Sequence, residues 1–160
     1  MGHTLVMGII NVTPDSFSDG GMWLGTSAAV GHGLDLIAQG AKILDVGGES
    51  TRPGAERVSE EEEMTRVMPV IEGLRIPAAA TGVALSVDTM RSSVARAAVR
   101  AGASIVNDVS GGLADTGMLG AVAELGVDYI CQHWRGFGSE MNRAAEYDDV
   151  VAEVRAELEA

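Results

Sequence analysis

The sequence predicts an α/β fold, a TIM-type (β/α)8 barrel of which the first five βα units are present as one domain over residues 1–160. Three observations carry that expectation. Short apolar runs alternate with longer amphipathic ones along the whole chain, and no hairpin signal separates successive runs, so the strands should be parallel with right-handed crossovers. A polar residue stands at or just past the C-terminal end of every predicted strand: Asn11, Asp45, Asp88, Asn107 with Asp108, and Gln132 with His133. A doubly wound open sheet accepts the same alternation. It concentrates its site at one switch point, however, and usually carries a glycine-rich phosphate fingerprint after the first strand. No GxGxxG follows the first strand here, and a polar ring over all the strand tips is the barrel arrangement.

Each element has its own reason. Residues 4–10 are a continuous apolar run, too short for a buried helix and rich in β-formers, and predict the first strand. Residues 27–38 place apolar side chains at helical spacing and stop before Gly40, a C-cap. Residues 42–46 follow as the second strand. The second helix, 59–74, opens with Ser59-Glu60-Glu61-Glu62, a capping box with acidic residues in its first turn. Residues 83–87 and 104–106 predict strands three and four. Helices follow over 91–101, closed by Gly102, and over 115–125, closed by Gly126. The fifth strand is 128–131, and a last helix runs over 147–160. A complete barrel takes about 250 residues, so about three βα units are expected to be missing, which leaves strands one and five as open edges needing either more barrel or a partner chain.

Composition narrows the class. The chain is 46% hydrophobic, 21% charged and 4% aromatic, and its apolar content is mostly aliphatic, as buried parallel strands require. The formal charge of −12 argues against non-specific nucleic-acid binding and against attraction to an anionic membrane. Its simplest use is solubility, with much of it placed on the helical faces 60–63 and 146–159. Cys131 is the single cysteine, so no intrachain disulfide forms and a reducing compartment is expected. No apolar run approaches the ~20 residues of a membrane span, and Met1-Gly2-His3-Thr4 lacks the features of a secretory signal. Cytoplasm is the expectation.

Two loops stand out. After the first strand, Asn11-Val12-Thr13-Pro14-Asp15-Ser16-Phe17-Ser18-Asp19-Gly20-Gly21 is rich in turn residues. It is nevertheless far longer than a strand-to-helix connection needs, and Phe17 amid polar residues suggests a loop that folds over a site. After the second strand, Gly47-Gly48-Glu49-Ser50-Thr51-Arg52-Pro53-Gly54 combines backbone that a ligand can approach with a hydroxyl and a fixed positive charge, suited to phosphate or carboxylate. Asp88 and Asn107 end strands three and four. A carboxylate at a buried strand end is costly unless paired. Its partner is either a neighbouring arginine or a ligand with adjacent N–H donors, such as an aminopyrimidine, whose next edge Asn107 could read. His133 reads equally as a ligand contact or a structural histidine, Cys131 as a buried small apolar residue, and Trp23 as a loop anchor. His3 and His32 lack metal-ligand spacing, and there is no zinc motif.

These segments, together with Ser86-Val87-Asp88-Thr89 and Asn107-Asp108-Val109-Ser110-Gly111, resemble the dihydropteroate synthase family in order and spacing over the whole chain. His133-Trp134-Arg135 is similar to its actinobacterial branch. The resemblance implies a folate-pathway transferase that joins 6-hydroxymethyl-7,8-dihydropterin diphosphate to 4-aminobenzoate and releases diphosphate. It implies that Asn11 ligates a Mg²⁺ ion on the diphosphate, that Thr51 contacts the diphosphate, and that Asp88 and Asn107 hold the pterin. Asp15 and Phe17, with Ser50, Arg52 and Pro53, would close over the site and form the aminobenzoate pocket where sulfonamides compete. Asp15 and Arg52 are the expected catalytic residues. The resemblance also implies a homodimer for the full-length protein, and further site residues beyond Ala160, so the 160-residue chain alone is expected to be inactive. Three rivals stand beside this reading: a pterin-dependent methyltransferase barrel, which shares the Asp and Asn strand ends without the two loop motifs; a catalytically silent pterin-binding paralogue; and a non-enzymatic fragment stabilised by pairing its open edges.

Overall fold

The computed structural model describes residues 4–13, 21–50, 57–137 and 145–159. Strands β1 (Met7–Asn11), β2 (Ile43–Gly47), β3 (Ala84–Asp88), β4 (Ile105–Asp108) and β5 (Asp128–Cys131) lie side by side in chain order. All four pairings are parallel. Helices α1 (Gly21–Ala38), α2 (Glu60–Thr81), α3 (Ser92–Ala101) and α4 (Met118–Leu125) make the crossovers, and α5 (Val150–Leu158) follows β5. A doubly wound sheet reverses its strand order at the switch point. This one never reverses, as in a barrel opened along one side.

Alternation along the strands divides the two faces. Ile10, Leu44, Val46, Leu85, Val87 and Val106 are buried in one cluster with Val67, Val70, Ile71 and Leu74 of α2, Val94, Ala95 and Ala98 of α3, and Met118 and Val122 of α4. α1 settles closely on this layer because Gly33 has no side chain: a Cβ there would stand 2.7 Å from Leu74 and 3.0 Å from Ile10. The other face carries Ile9, Asn11, Asp45, Gly47, Ser86, Asp88 and Asn107, the residues of opposite strand parity. Ile9 is exposed there, and Leu5 and Val6, which precede β1 at the edge of the sheet, are exposed as well.

Several boundaries differ from the expectation. α1 begins at Gly21, not residue 27, so the connection after β1 is shorter and Trp23 lies in a helix rather than a loop. α2 runs through Pro69 and Pro77 to Thr81. The backbone bond that Pro77 cannot donate is outweighed by burial of Leu74 and Ala78 on either side, and Thr81 Oγ1 donates to the Pro77 carbonyl at 2.9 Å. Ser59 caps α2 as expected, accepting from Glu62 N at 3.1 Å. α4 begins at Met118 rather than 115, because Asp115 instead caps α3, accepting from Ser92 N at 2.7 Å and from Gly117 N at 2.8 Å. Asp149 caps α5. Cys131 is exposed, contrary to the buried role expected of it, since β5 is the last strand of the sheet among the described residues. Among the described residues no helix is long and apolar enough to cross a membrane.

Candidate functional site

Four strand tips meet in one register row: Asn11 pairs with Gly47, Gly47 with Asp88, and Asp88 with Asn107. Registered neighbours in a parallel sheet point to the same face with strands about 4.8 Å apart. Gly47 leaves a gap in this row. A Cβ there would lie 3.2 Å from Asp88 Oδ2, so the space beside the carboxylate stays open toward Asn11.

One layer deeper, Asp45 and Ser86 are also register partners and both are buried. Asn107 Nδ2 donates to Asp45 Oδ2 at 2.8 Å, and Gln132 Nε2 donates to Asn107 Oδ1 at 2.7 Å. Asp45 Oδ1 and Ser86 Oγ are buried without a hydrogen-bond partner among the described residues. Native proteins rarely leave such atoms unsatisfied, and where they do the site usually takes a water or a ligand.

Asp88 accepts no side-chain hydrogen bond and meets no arginine among the described residues. Burial, followed by the Asp45 carboxylate and then Glu63, Asp108 and Glu49, pushes its pKa up to about 7. A carboxyl group poised this way is stabilised as the anion by any ligand presenting N–H donors to it. The row therefore offers an acceptor at Asp88 beside a donor and acceptor at Asn107.

The loop after β2 is gripped at both ends from behind the sheet. Glu49 accepts from Arg57 Nε at 2.8 Å and from Arg91 Nη1 at 2.6 Å. Arg91 also binds the fully buried Glu63 and donates to the Val58 carbonyl at 2.6 Å. Thr89 Oγ1 donates to Glu63 Oε1 at 2.5 Å, and Arg66 Nη1 to the Gly48 carbonyl at 2.9 Å. Burial raises the Glu63 pKa, offset in part by Thr89 and Arg91. Arg57 further stacks over the Phe137 ring, 4.7 Å from its centroid. Sequence reasoning missed this cluster. Glu63 reads as one more solvated charge in an acidic first turn, and nothing local marks Arg91 as its partner.

Of the expected site residues, Asn11, Asp88 and Asn107 share the row, and Ser50 follows the gripped Gly48-Glu49 segment. Asp15, Phe17, Thr51, Arg52 and Pro53 lie outside the described residues. Two members of the anticipated polar ring belong elsewhere. Asp108 has the opposite strand parity and organises the next loop, accepting from Ser110 N and Oγ, Gly112 N and Tyr129 Oη within 2.7–2.9 Å. His133 pairs with Glu157 at 2.7 Å, and Arg135 binds Glu153 at 2.7 Å and Glu157, packing 3.9 Å over the Tyr147 ring. Both hold α5 to the sheet.

This open half of a parallel barrel, with a carboxylate and an amide converging at its strand tips, belongs to a known class: the chain is a member of the pterin binding enzyme family, whose sequence pattern matches residues 7–160. Among curated relatives, the dihydropteroate synthase of Mycobacterium leprae is 54% identical over 154 residues, covering 96% of this chain and 53% of that protein. The Xanthomonas albilineans dihydropteroate synthase solved with 4-aminobenzoic acid superposes with a TM-score of 0.82 at 55% identity, over 95% of this chain and 52% of that one. The Burkholderia cenocepacia dihydropteroate synthase complexed with 7,8-dihydropteroate gives 0.78 at 38% identity, over 98% and 51%. The chain thus spans about half the length of these relatives.

Proposed function

We propose that this chain is the N-terminal part of a dihydropteroate synthase, in which β1–β5 supply one wall of the pterin site and the two loops that close it. The Asp88 carboxylate, without a hydrogen-bond partner among the described residues, in register with Asn107 and beside the gap at Gly47, carries this reading. A pterin ring presents adjacent N–H donors and ring acceptors along one edge, and those two side chains complement such an edge.

The reaction breaks the bond between the pterin methylene and the diphosphate oxygen and forms a bond from that carbon to the arylamine nitrogen. The amine loses a proton, and diphosphate leaves as an anion. Departure leaves cationic character spread over the pterin ring, which the carboxylate of Asp15 would stabilise. Ser50, Thr51, Arg52, Phe17 and Pro53 would position the arylamine and the diphosphate, since a weakly basic nucleophile needs placement more than activation. Exclusion of water by the two loops prevents capture of the cation.

Asn11 fits a Mg²⁺ ion carried in with the diphosphate. It is a neutral oxygen donor at an exposed strand tip whose side chain makes no hydrogen bond among the described residues, and Mg²⁺ commonly takes one or two protein oxygens and completes its shell with phosphate and water. When bound, the ion would neutralise charge on the departing diphosphate. Cytoplasmic residence, sulfonamide competition with 4-aminobenzoate, and a homodimer of the full-length protein complete the proposal. The test is dihydropteroate formation from both substrates by the full-length barrel containing residues 1–160. Activity lost in Asp88→Asn and Asn107→Ala supports the reading. A folded barrel that binds pterin without turnover favours the silent paralogue.

A further inference from the structure

Asn107 stands between two side chains that dictate which way its amide faces. Asp45 is buried among β2, β3 and β4 and, as a carboxylate, can only accept. The Asn107 atom 2.8 Å from Asp45 Oδ2 must therefore be the NH₂ nitrogen. That leaves the Asn107 carbonyl facing β5, where an acceptor would be repelled and a donor is needed. Gln132 supplies its NH₂ there at 2.7 Å. Donors run in one direction along the chain Gln132, Asn107, Asp45, and the polarity is imposed from its buried end. Asn107 is left with one N–H and one oxygen lone pair in fixed positions beside Asp88, its register partner.

We propose that Asp45 and Gln132 are positioning residues that lock the Asn107 amide in a single orientation, so that the strand tips present one donor–acceptor order to an aminopyrimidine-type ring edge. This rests on the pterin reading above and deepens it by naming what sets ring-edge specificity. Neither residue touches the ring through this role. Asp45 acts from one layer below the register row, and Gln132 from the tip of the next strand. A free asparagine amide flips readily and presents either pattern, so it would discriminate poorly between a pterin and an analogue with exchanged amino and carbonyl groups.

The test uses the full-length barrel and an uncharged probe, 6-hydroxymethylpterin, titrated calorimetrically, so that repulsion of diphosphate plays no part. Asp45→Asn, which can donate as well as accept, should weaken pterin binding by about tenfold and leave the KM for 4-aminobenzoate unchanged. Gln132→Glu keeps the shape of glutamine but sets an acceptor against the Asn107 carbonyl. Gln132→Leu removes the donor without creating that conflict. The locked-amide mechanism requires the Glu variant to bind pterin more weakly than the Leu variant, whereas a role in packing alone requires the reverse order. Wild-type binding combined with an unaltered Asp45→Asn, or with Glu tolerated better than Leu, overturns the inference. Should Asp45→Asn fail to fold, the order of the two Gln132 variants, at an exposed strand end, still decides. A wild-type barrel that binds no 6-hydroxymethylpterin refutes the functional reading beneath it, and this inference with it.

Discussion

Exchanging Arg91 for methionine removes the cation that serves two shielded carboxylates at once. Glu63 is 1% exposed and Glu49 7%, with Arg91 itself at 17%. Breaking a buried pair by deleting one partner costs about 3–5 kcal/mol, because a charge is left uncompensated. Two features reduce the figure here. Glu49 keeps Arg57 at 2.8 Å, and Glu63 keeps the hydroxyl of Thr89. The expected loss is thus about 3 kcal/mol at neutral pH, at the lower end of that range. Glu63 already has its folded-state pKa raised above 4.5 by burial, and loss of Arg91 raises it further. A carboxyl raised in the folded state contributes stability below its unfolded pKa and loses it as pH rises through the folded one. The deficit of the variant should therefore be small in mild acid and grow toward neutrality, and a second exchange, Glu63→Gln, should recover much of it. Urea denaturation across pH, with Arg155→Ala as the control, measures this directly. The Arg155–Glu159 pair is exposed, and its loss should stay within about 0.5 kcal/mol. A neutral-pH loss for Arg91→Met below about 1 kcal/mol, or one that shrinks as pH rises, refutes a buried ionic clamp at the neck of this loop.

Other outcomes follow from the same geometry. Carboxyl ¹³C NMR should show Asp88 titrating near 7, and Asp45→Asn, by removing the carboxylate that acts on it most strongly, should lower that midpoint; an unmoved midpoint contradicts the coupling. Since Asp88 is raised in the folded state, its contribution to stability falls as pH climbs from its ordinary 3.8 through about 7, so Asp88→Asn should stabilise the fold in mild alkali while abolishing pterin capture. Asp115→Ala should cost about 1 kcal/mol by uncapping α3; the backbone N–H and the side-chain hydroxyl of Ser92 hold the Asp115 pKa low, so this stabilisation is present at neutral pH and lost as acid protonates the carboxylate. Asp15→Ala should depress turnover far more than pterin affinity, which steady-state kinetics beside calorimetry would separate; equal losses in both contradict a role in stabilising the cation.

The order of the elements was legible because short continuous apolar runs alternate with longer ones at helical spacing, and glycines at positions 40, 102 and 126 do end the helices before them with positive φ. The barrel reading was legible from the polar strand tips. Asp108 and Asn107 are alike as polar residues at the end of one strand, but one residue of offset sends Asp108 to the opposite face. Asp115 looked like the start of a helix because its side chain suits a cap. It is a cap, but for the preceding helix, a pairing that tertiary packing alone decides. Asp88 and Asn107 were found through their residue types and positions. Asp45 and Gln132 stood out as strand-tip polar residues, but their bonds to Asn107 did not, nor did those of Arg91 to Glu49 and Glu63, because each joins residues at least 25 positions apart.

The most direct measurement is a crystal structure of the full-length barrel soaked with 6-hydroxymethylpterin. A ring lying over Gly47, with Asp88 accepting from its adjacent N–H donors and Asn107 bonding the neighbouring edge, is the predicted result. A ring bound elsewhere, or Asp88 turned to an internal cation while Asn107 stays engaged by Asp45 and Gln132 alone, contradicts the account.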